Sequence, residues 1–294
     1  MGFLGNMFST LGLDHKERIE KERTVSGVRS MSSLAYLGDA HGGHFMDIMW
    51  SKEALNPIPL VFFFNGTVFN HTNKGRASNL CRLIAKRDFI VVNCEFRDLS
   101  KTVSVRDEID DLLAMMDWVT RNRDRFNIDL QNVYVVGSSY GALMALWMTN
   151  LCTGKRMHNA LGIERPGIRI KGLGLFTGMT DTESGDSDMR PVAASIEKLR
   201  KTDKDLAECL LPWENHDLFE MPPVFQVTSD NDSALPDVIK LQKLLDTNNV
   251  PNETMTFGAT THTMRGFMEM HSTTNECSRV LSRMLTFFKE NEDQ

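Results

Sequence analysis

Val133-Tyr134-Val135-Val136-Gly137-Ser138-Ser139-Tyr140-Gly141 decides how this chain is read. The apolar run Val133 to Val136 has the composition of a buried strand, and Ala142 to Met148 is apolar and helical in pattern. Between them, Gly137 and Gly141 stand two positions either side of Ser139. A strand, a glycine-bracketed serine and a helix in that order make a nucleophile elbow. Each part has a chemical reason. A serine hydroxyl is a weak nucleophile unless an exposed, strained turn brings it to a base. Glycines on both sides remove Cβ atoms that would collide where strand and helix cross. The competing reading is that Gly137 ends a strand and Ser139 caps the next helix. Ser138 is a second hydroxyl, without the symmetric glycine spacing.

The elements around the elbow alternate. Phe45 to Trp50 reads as an early strand, and Pro59 to Phe64 is a continuous apolar run suited to a strand buried on both faces. Asn79 to Lys86 is helical in pattern, followed by the strand Phe89 to Cys94. Val105, Ile109, Leu112, Leu113, Met116 and Val119 recur at helical spacing, with Ser104 and Asp107 as a capping box. After the elbow come a strand over Ile168 to Phe176, a strand Val224 to Val227 and a helix carrying Val238, Leu241, Leu244 and Leu245. A short strand Met255 to Phe257 and an amphipathic helix with Val280, Leu281, Met284, Leu285 and Phe288 close the chain. Gly172 and Gly174 mark close backbone approaches. This order predicts an α/β fold with a mostly parallel central sheet and helices on both faces. Residues 182–213 lack strand character and read as a small cap or insertion after the sixth strand. Residues 1–30 read as an N-terminal helical extension to one domain spanning 1–294.

Composition narrows the function classes. The net charge of -6 argues against a nucleic-acid partner. The five cysteines are scattered without CxxC spacing, so they read as reduced core thiols of a cytoplasmic protein. No apolar run reaches the length of a membrane span. Phe3, Leu4, Met7, Phe8 and Leu11 share a helical face that reads as packing rather than membrane contact, and Asn6 stands where a myristoylation signal has Ser or Thr. His41-Gly42-Gly43-His44 lacks nearby ligands for a metal and reads as a solvated turn. No metal or cofactor is expected.

A serine hydrolase needs a base, and an acid to orient it. On such a sheet both follow later strands, in the order Ser, Asp or Glu, His. Val224–Val227 is followed by Asp230 and Asp232, and Met255–Phe257 by His262. Asp232, which opens an Asp-x-x-Leu-Pro pattern into a helix, is preferred; Asp230 and Asp181 stay open as alternatives. For the base, His262 comes ahead of His271. Tyr140 and Gly66, with Thr67 beside it, are the expected backbone donors of an oxyanion hole.

From about Phe45 onward the chain resembles the α/β-hydrolase-fold serine esterases of the acetyl-esterase and carboxylesterase type. The residues that carry the likeness are Leu60–Phe64 with Asn65-Gly66-Thr67, Glu95-Phe96-Arg97, the Gly137–Gly141 elbow, Asp232 and His262. The resemblance implies ester hydrolysis through an acyl-enzyme, without a cofactor, on a small-molecule ester. It implies Ser139 as nucleophile, His262 as base and Asp232 as its orienter. One departure stands out: members usually carry a His-Gly-Gly-Gly-type loop where this chain has Asn65-Gly66-Thr67-Val68. Peptide cleavage, acyl transfer and non-catalytic ligand binding are the rival readings.

Overall fold

Apolar runs that alternate between two covered faces build the sheet. The computed structural model describes residues 25–39, 43–52, 57–66, 73–184, 189–215, 217, 220–258 and 272–292. Its described strands are β1 (Val28–Ala35), β2 (Phe45–Ser51), β3 (Ile58–Phe64), β4 (Ile90–Cys94), β5 (Ile128–Ser138), β6 (Ile170–Phe176), β7 (Val224–Ser229) and β8 (Asn252–Phe257). They form one sheet in the order β1-β2-β4-β3-β5-β6-β7-β8. Strand β2 runs antiparallel to β1 and β4, and every other pairing is parallel. The central β3 shows why the runs are unbroken. Leu60, Phe62 and Phe64 enter one apolar cluster, while Val61 and Phe63 enter the other. Pro59 cannot donate to a ladder, and the β3–β5 register shifts between Pro59 and Leu60.

The helices are α1 (Ser78–Ala85), α2 (Val105–Phe126), α3 (Tyr140–Thr153), α4 (Lys155–Leu161), α5 (Arg190–Arg200), α6 (Lys204–Cys209), α7 (Leu235–Thr247) and α8 (Asn275–Glu290). Apolar residues of α1 and α8 join the cluster on one face, and those of α2, α3, α5, α6 and α7 the cluster on the other. All of α3 is buried, as its apolar circumference requires. Its neighbour α2 starts at the expected box, where the Ser104 backbone N–H donates to Asp107 Oδ2 at 2.8 Å. Gly172 and Gly174 do meet close neighbours: a Cβ would fall 2.5 Å from the Phe288 ring and 2.7 Å from Met284 Sδ.

Some expectations shift. Strand β1 was not anticipated, and it begins inside the stretch read as a helical extension, with Val28 to Ser30 already strand; residues 1–24 lie outside the described residues. Strand β8 starts at Asn252 rather than Met255. Helices α5 and α6 occupy the segment between β6 and β7. Ser195 Oγ accepts from the Val105 N–H at 3.0 Å, and the Leu210 carbonyl accepts from Trp147 Nε1 at 2.8 Å. These contacts hold the segment against α2 and α3.

The solvated-turn reading fails for His44, which is buried with Nδ1 2.5 Å from Asp39 and Nε2 3.1 Å from Asp111. Asp111 also accepts from Arg97 Nε at 2.9 Å, and Arg97 Nη2 donates to the Asp107 carbonyl at 2.6 Å. The chain leaving β4 is thereby clamped to the first turns of α2. His41 lies outside the described residues. Among the described residues no three His, Cys, Asp or Glu side chains gather as a metal site, and no helix is long and apolar enough to cross a membrane.

Candidate active site

Ser139 sits between the end of β5 and the start of α3 with φ 52° and ψ −124°. A positive φ costs a non-glycine residue on the order of 1–3 kcal/mol, so it persists only where the surroundings enforce it. They do so here by close backbone approach. A Cβ on Gly137 would strike the Gly141 carbonyl, with the carbonyl carbon at 2.5 Å and Ala142 Cα at 2.7 Å. A Cβ on Gly141 would strike the Phe64 carbonyl and lie 2.7 Å from the Asn65 carbonyl. The end of β3, the elbow and the first turn of α3 therefore interlock with no room for side chains.

Ser139 holds the N-cap position of α3, yet its side chain caps no helix N–H. Its Oγ donates instead to Met179 Sδ at 3.1 Å. A thioether is a weak acceptor, so the hydroxyl is held without being strongly committed. The elbow serine is thus not spent on capping. Ser138, the last residue of β5, is fully buried, whereas Ser139 keeps 5% exposure.

Met179 arrives on the loop after β6. Thr177 turns that loop at φ 45°, and the Met179 N–H donates to the Ser139 carbonyl at 3.2 Å. Sequence reading missed this residue, because no motif marks it and the contact depends on pairing across the sheet.

The carboxylates differ in their commitments. Asp181 is 2.6 Å from Lys240 Nζ, and it accepts the Glu183 N–H at 3.0 Å. Lys240 also lies 4.0 Å over the Trp213 ring. Asp181 is therefore engaged in its own ion pair. Asp230 is exposed, and its N–H donates to the Phe257 carbonyl at 3.0 Å. Asp232 sits in the turn between β7 and α7, where its Oδ1 accepts the Ala234 N–H at 2.8 Å and its Oδ2 is buried. His262 and His271 lie outside the described residues, as does Thr67.

Gly66 is buried directly after β3. The preceding Asn65 is tied down: its Nδ2 donates to Asn93 Oδ1 at 3.1 Å, and Asn93 Nδ2 donates to the Lys74 carbonyl at 2.7 Å. Lys74 Nζ in turn pairs with Glu95 at 2.7 Å. On the other side of the elbow, Tyr140 opens α3 with its ring buried and its hydroxyl donating to Glu108 Oε2 at 2.6 Å. Burial pushes the Glu108 carboxyl well above the usual range, with Asp111 and Asp98 adding to the rise and the Tyr140 hydrogen bond opposing it. Sequence reading missed Glu108 too, although a signal was there: it falls between Val105 and Ile109 on the apolar face of α2.

The BD-FAE family model matches residues 46–243. Among solved structures, esterase B from Lactobacillus Rhamnosis resembles the chain with a TM-score of 0.84 at 20% identity, over 99% of this chain and 94% of that one. A bacterial heroin esterase gives 0.71 at 17% identity over 99% and 92%. A truncated carbohydrate esterase from gut microbiota gives 0.70 at 15% identity over 93% and 100%. No curated protein sequence matches the chain. At these identities the structural likeness is one of fold.

Proposed function

The chain belongs to the BD-FAE family, and from that premise we propose that it is a serine hydrolase cleaving carboxylic esters through an acyl-enzyme. The observation that carries the reading is Ser139 at φ 52° with a hydroxyl that caps nothing. Fold likeness to three named esterases supports it. Ser139 Oγ leaves Met179 and attacks the ester carbonyl carbon while His262 takes its proton. The peptide N–H groups of Tyr140 and of Gly66 or Thr67 receive the charge that builds on the carbonyl oxygen. Collapse of this intermediate breaks the bond to the alcohol, which leaves with the proton from His262. Water, deprotonated by the same imidazole, then releases the acid and restores Ser139.

Asp232 orients His262 in this scheme. Its competitors have other tasks, Asp181 with Lys240 and Asp230 facing solvent. Asp232→Asn is expected to lower kcat by about a thousandfold or more, because the wrong imidazole tautomer then faces the serine. Asp230→Asn and Asp181→Asn are expected to change it by less than about tenfold. A loss confined to either of those two would move the acid there.

Helices α5 and α6 serve as the small cap of residues 182–213, held by α2 and α3. A reducing, cytoplasmic setting fits Cys81, Cys94, Cys152, Cys209 and Cys277, all buried thiols. Turnover of short-acyl nitrophenyl esters by the intact chain, with stoichiometric fluorophosphonate labelling at Ser139, tests the activity. Absence of both sinks it.

A further inference from the structure

The Glu108–Tyr140 pair lies beside the elbow and is costly. Glu108 is fully buried, and burial pushes its carboxyl well above the usual range. One oxygen accepts the Tyr140 hydroxyl at 2.6 Å. The other, Oε1, is buried with no hydrogen-bond partner among the described residues. Among those residues the carboxyl therefore serves Tyr140 and no other side chain. Burying such a group usually costs more than burying an apolar residue of the same shape, and apolar replacement of both partners is often neutral or stabilising. Fold stability alone does not account for the pair.

Its surroundings form a rigid chain of contacts. Arg97 binds Asp107 and Asp111, which bracket Glu108 on α2. Glu108 then holds the Tyr140 hydroxyl, and the Tyr140 ring is packed between Phe96 and Trp147 with centroids at 6.0 and 6.3 Å. The ring belongs to the residue whose N–H directly follows the strained Ser139. The Tyr140 Cα joins that ring to the peptide carrying the N–H at the start of α3, so a ring held on both faces and at its hydroxyl fixes the point from which the N–H is directed. A displacement on the order of 1 Å at a reacting centre costs about a hundredfold in rate, so a fixed ring has a catalytic use.

Resting on the esterase reading, we propose that Glu108 is a positioning residue of the oxyanion site, holding the Tyr140 ring so that the Tyr140 peptide N–H points at the developing oxyanion. The N–H itself touches substrate; Glu108 does not.

The test separates stability from turnover. Tyr140→Phe and the double variant Glu108→Leu with Tyr140→Phe are compared with wild type by thermal melt and by kcat and KM on a short-acyl nitrophenyl ester. The double variant is expected to melt no lower than wild type, while kcat falls about tenfold to a hundredfold with KM within about twofold. Glu108→Gln with Tyr140 intact, which keeps an acceptor oxygen for the Tyr140 hydroxyl, is expected to retain most of the wild-type rate. If the double variant fails to fold, Tyr140→Phe alone decides. Wild-type kcat in the folded Tyr140→Phe chain overturns the positioning role. So does a lower melting point with unchanged kcat, the pattern of a purely structural pair. A wild-type chain that turns over no ester overturns the esterase reading itself, a distinct result.

Discussion

Ser139→Ala is expected to lower kcat/KM on short-acyl esters by about ten-thousandfold or more, leaving the melting point within about 2 °C of wild type. The size follows from what is removed. Without Oγ no acyl-enzyme forms, and only bound water, backbone N–H groups and proximity remain. The small effect on stability follows from the structure: the hydroxyl caps no helix N–H, and among the described residues it donates to the Met179 thioether, a weak acceptor. Alanine also tolerates φ 52° about as well as serine does. Two measurements check the prediction, turnover of a nitrophenyl butyrate and intact mass after exposure to a fluorophosphonate. A Ser139→Ala chain that still gains the phosphonyl adduct, or keeps more than about a tenth of the rate, would place the nucleophile elsewhere.

The fold was legible wherever burial on two faces forces an apolar run. Strands β3, β4 and β5 and helix α2 follow from Leu60–Phe64, Ile90–Cys94, Val133–Val136 and the Val105–Val119 spacing. Strand β1 was illegible for the opposite reason. As an edge strand reading Val-Arg-Ser-Met-Ser-Ser-Leu-Ala, it is mostly exposed and owes its form to pairing with β2 rather than to its own pattern. The polar start of β8, Asn252 to Thr254, escaped notice likewise.

At the site, the strained turn at Ser139 was readable because its glycine spacing encodes a local steric need. Asp232, Asp230 and Asp181 were not separable by sequence, since the commitment of Asp181 depends on Lys240, 59 residues away. Met179 and Glu108 act on residues 40 and 32 positions distant, and no local pattern records such contacts.

Gly141→Ala is expected to destabilise the fold by at least about 3 kcal/mol, a melting-point loss of about 5 to 10 °C, and to suppress turnover in the fraction that stays folded. The atoms in the way belong to the backbone. The new Cβ would overlap the Phe64 carbonyl, whose carbon lies at 2.6 Å, and crowd the Asn65 carbonyl at 2.7 Å. No rotamer change relieves a clash with main chain at the end of a central strand. The remedy is to move β3 away from α3, which drags Gly66 from the serine. Alanine's better helix propensity returns about 1 kcal/mol at most and does not offset this. Gly174→Ala is the matched control. Its Cβ would meet Met284 Sδ at 2.7 Å, and a flexible thioether side chain can turn aside at a cost of about 1 kcal/mol. The contrast between the two substitutions is the decisive readout. A Gly141→Ala chain that melts with or above Gly174→Ala would mean that strand and helix do not cross at this range, and the strain at Ser139 would lose its cause.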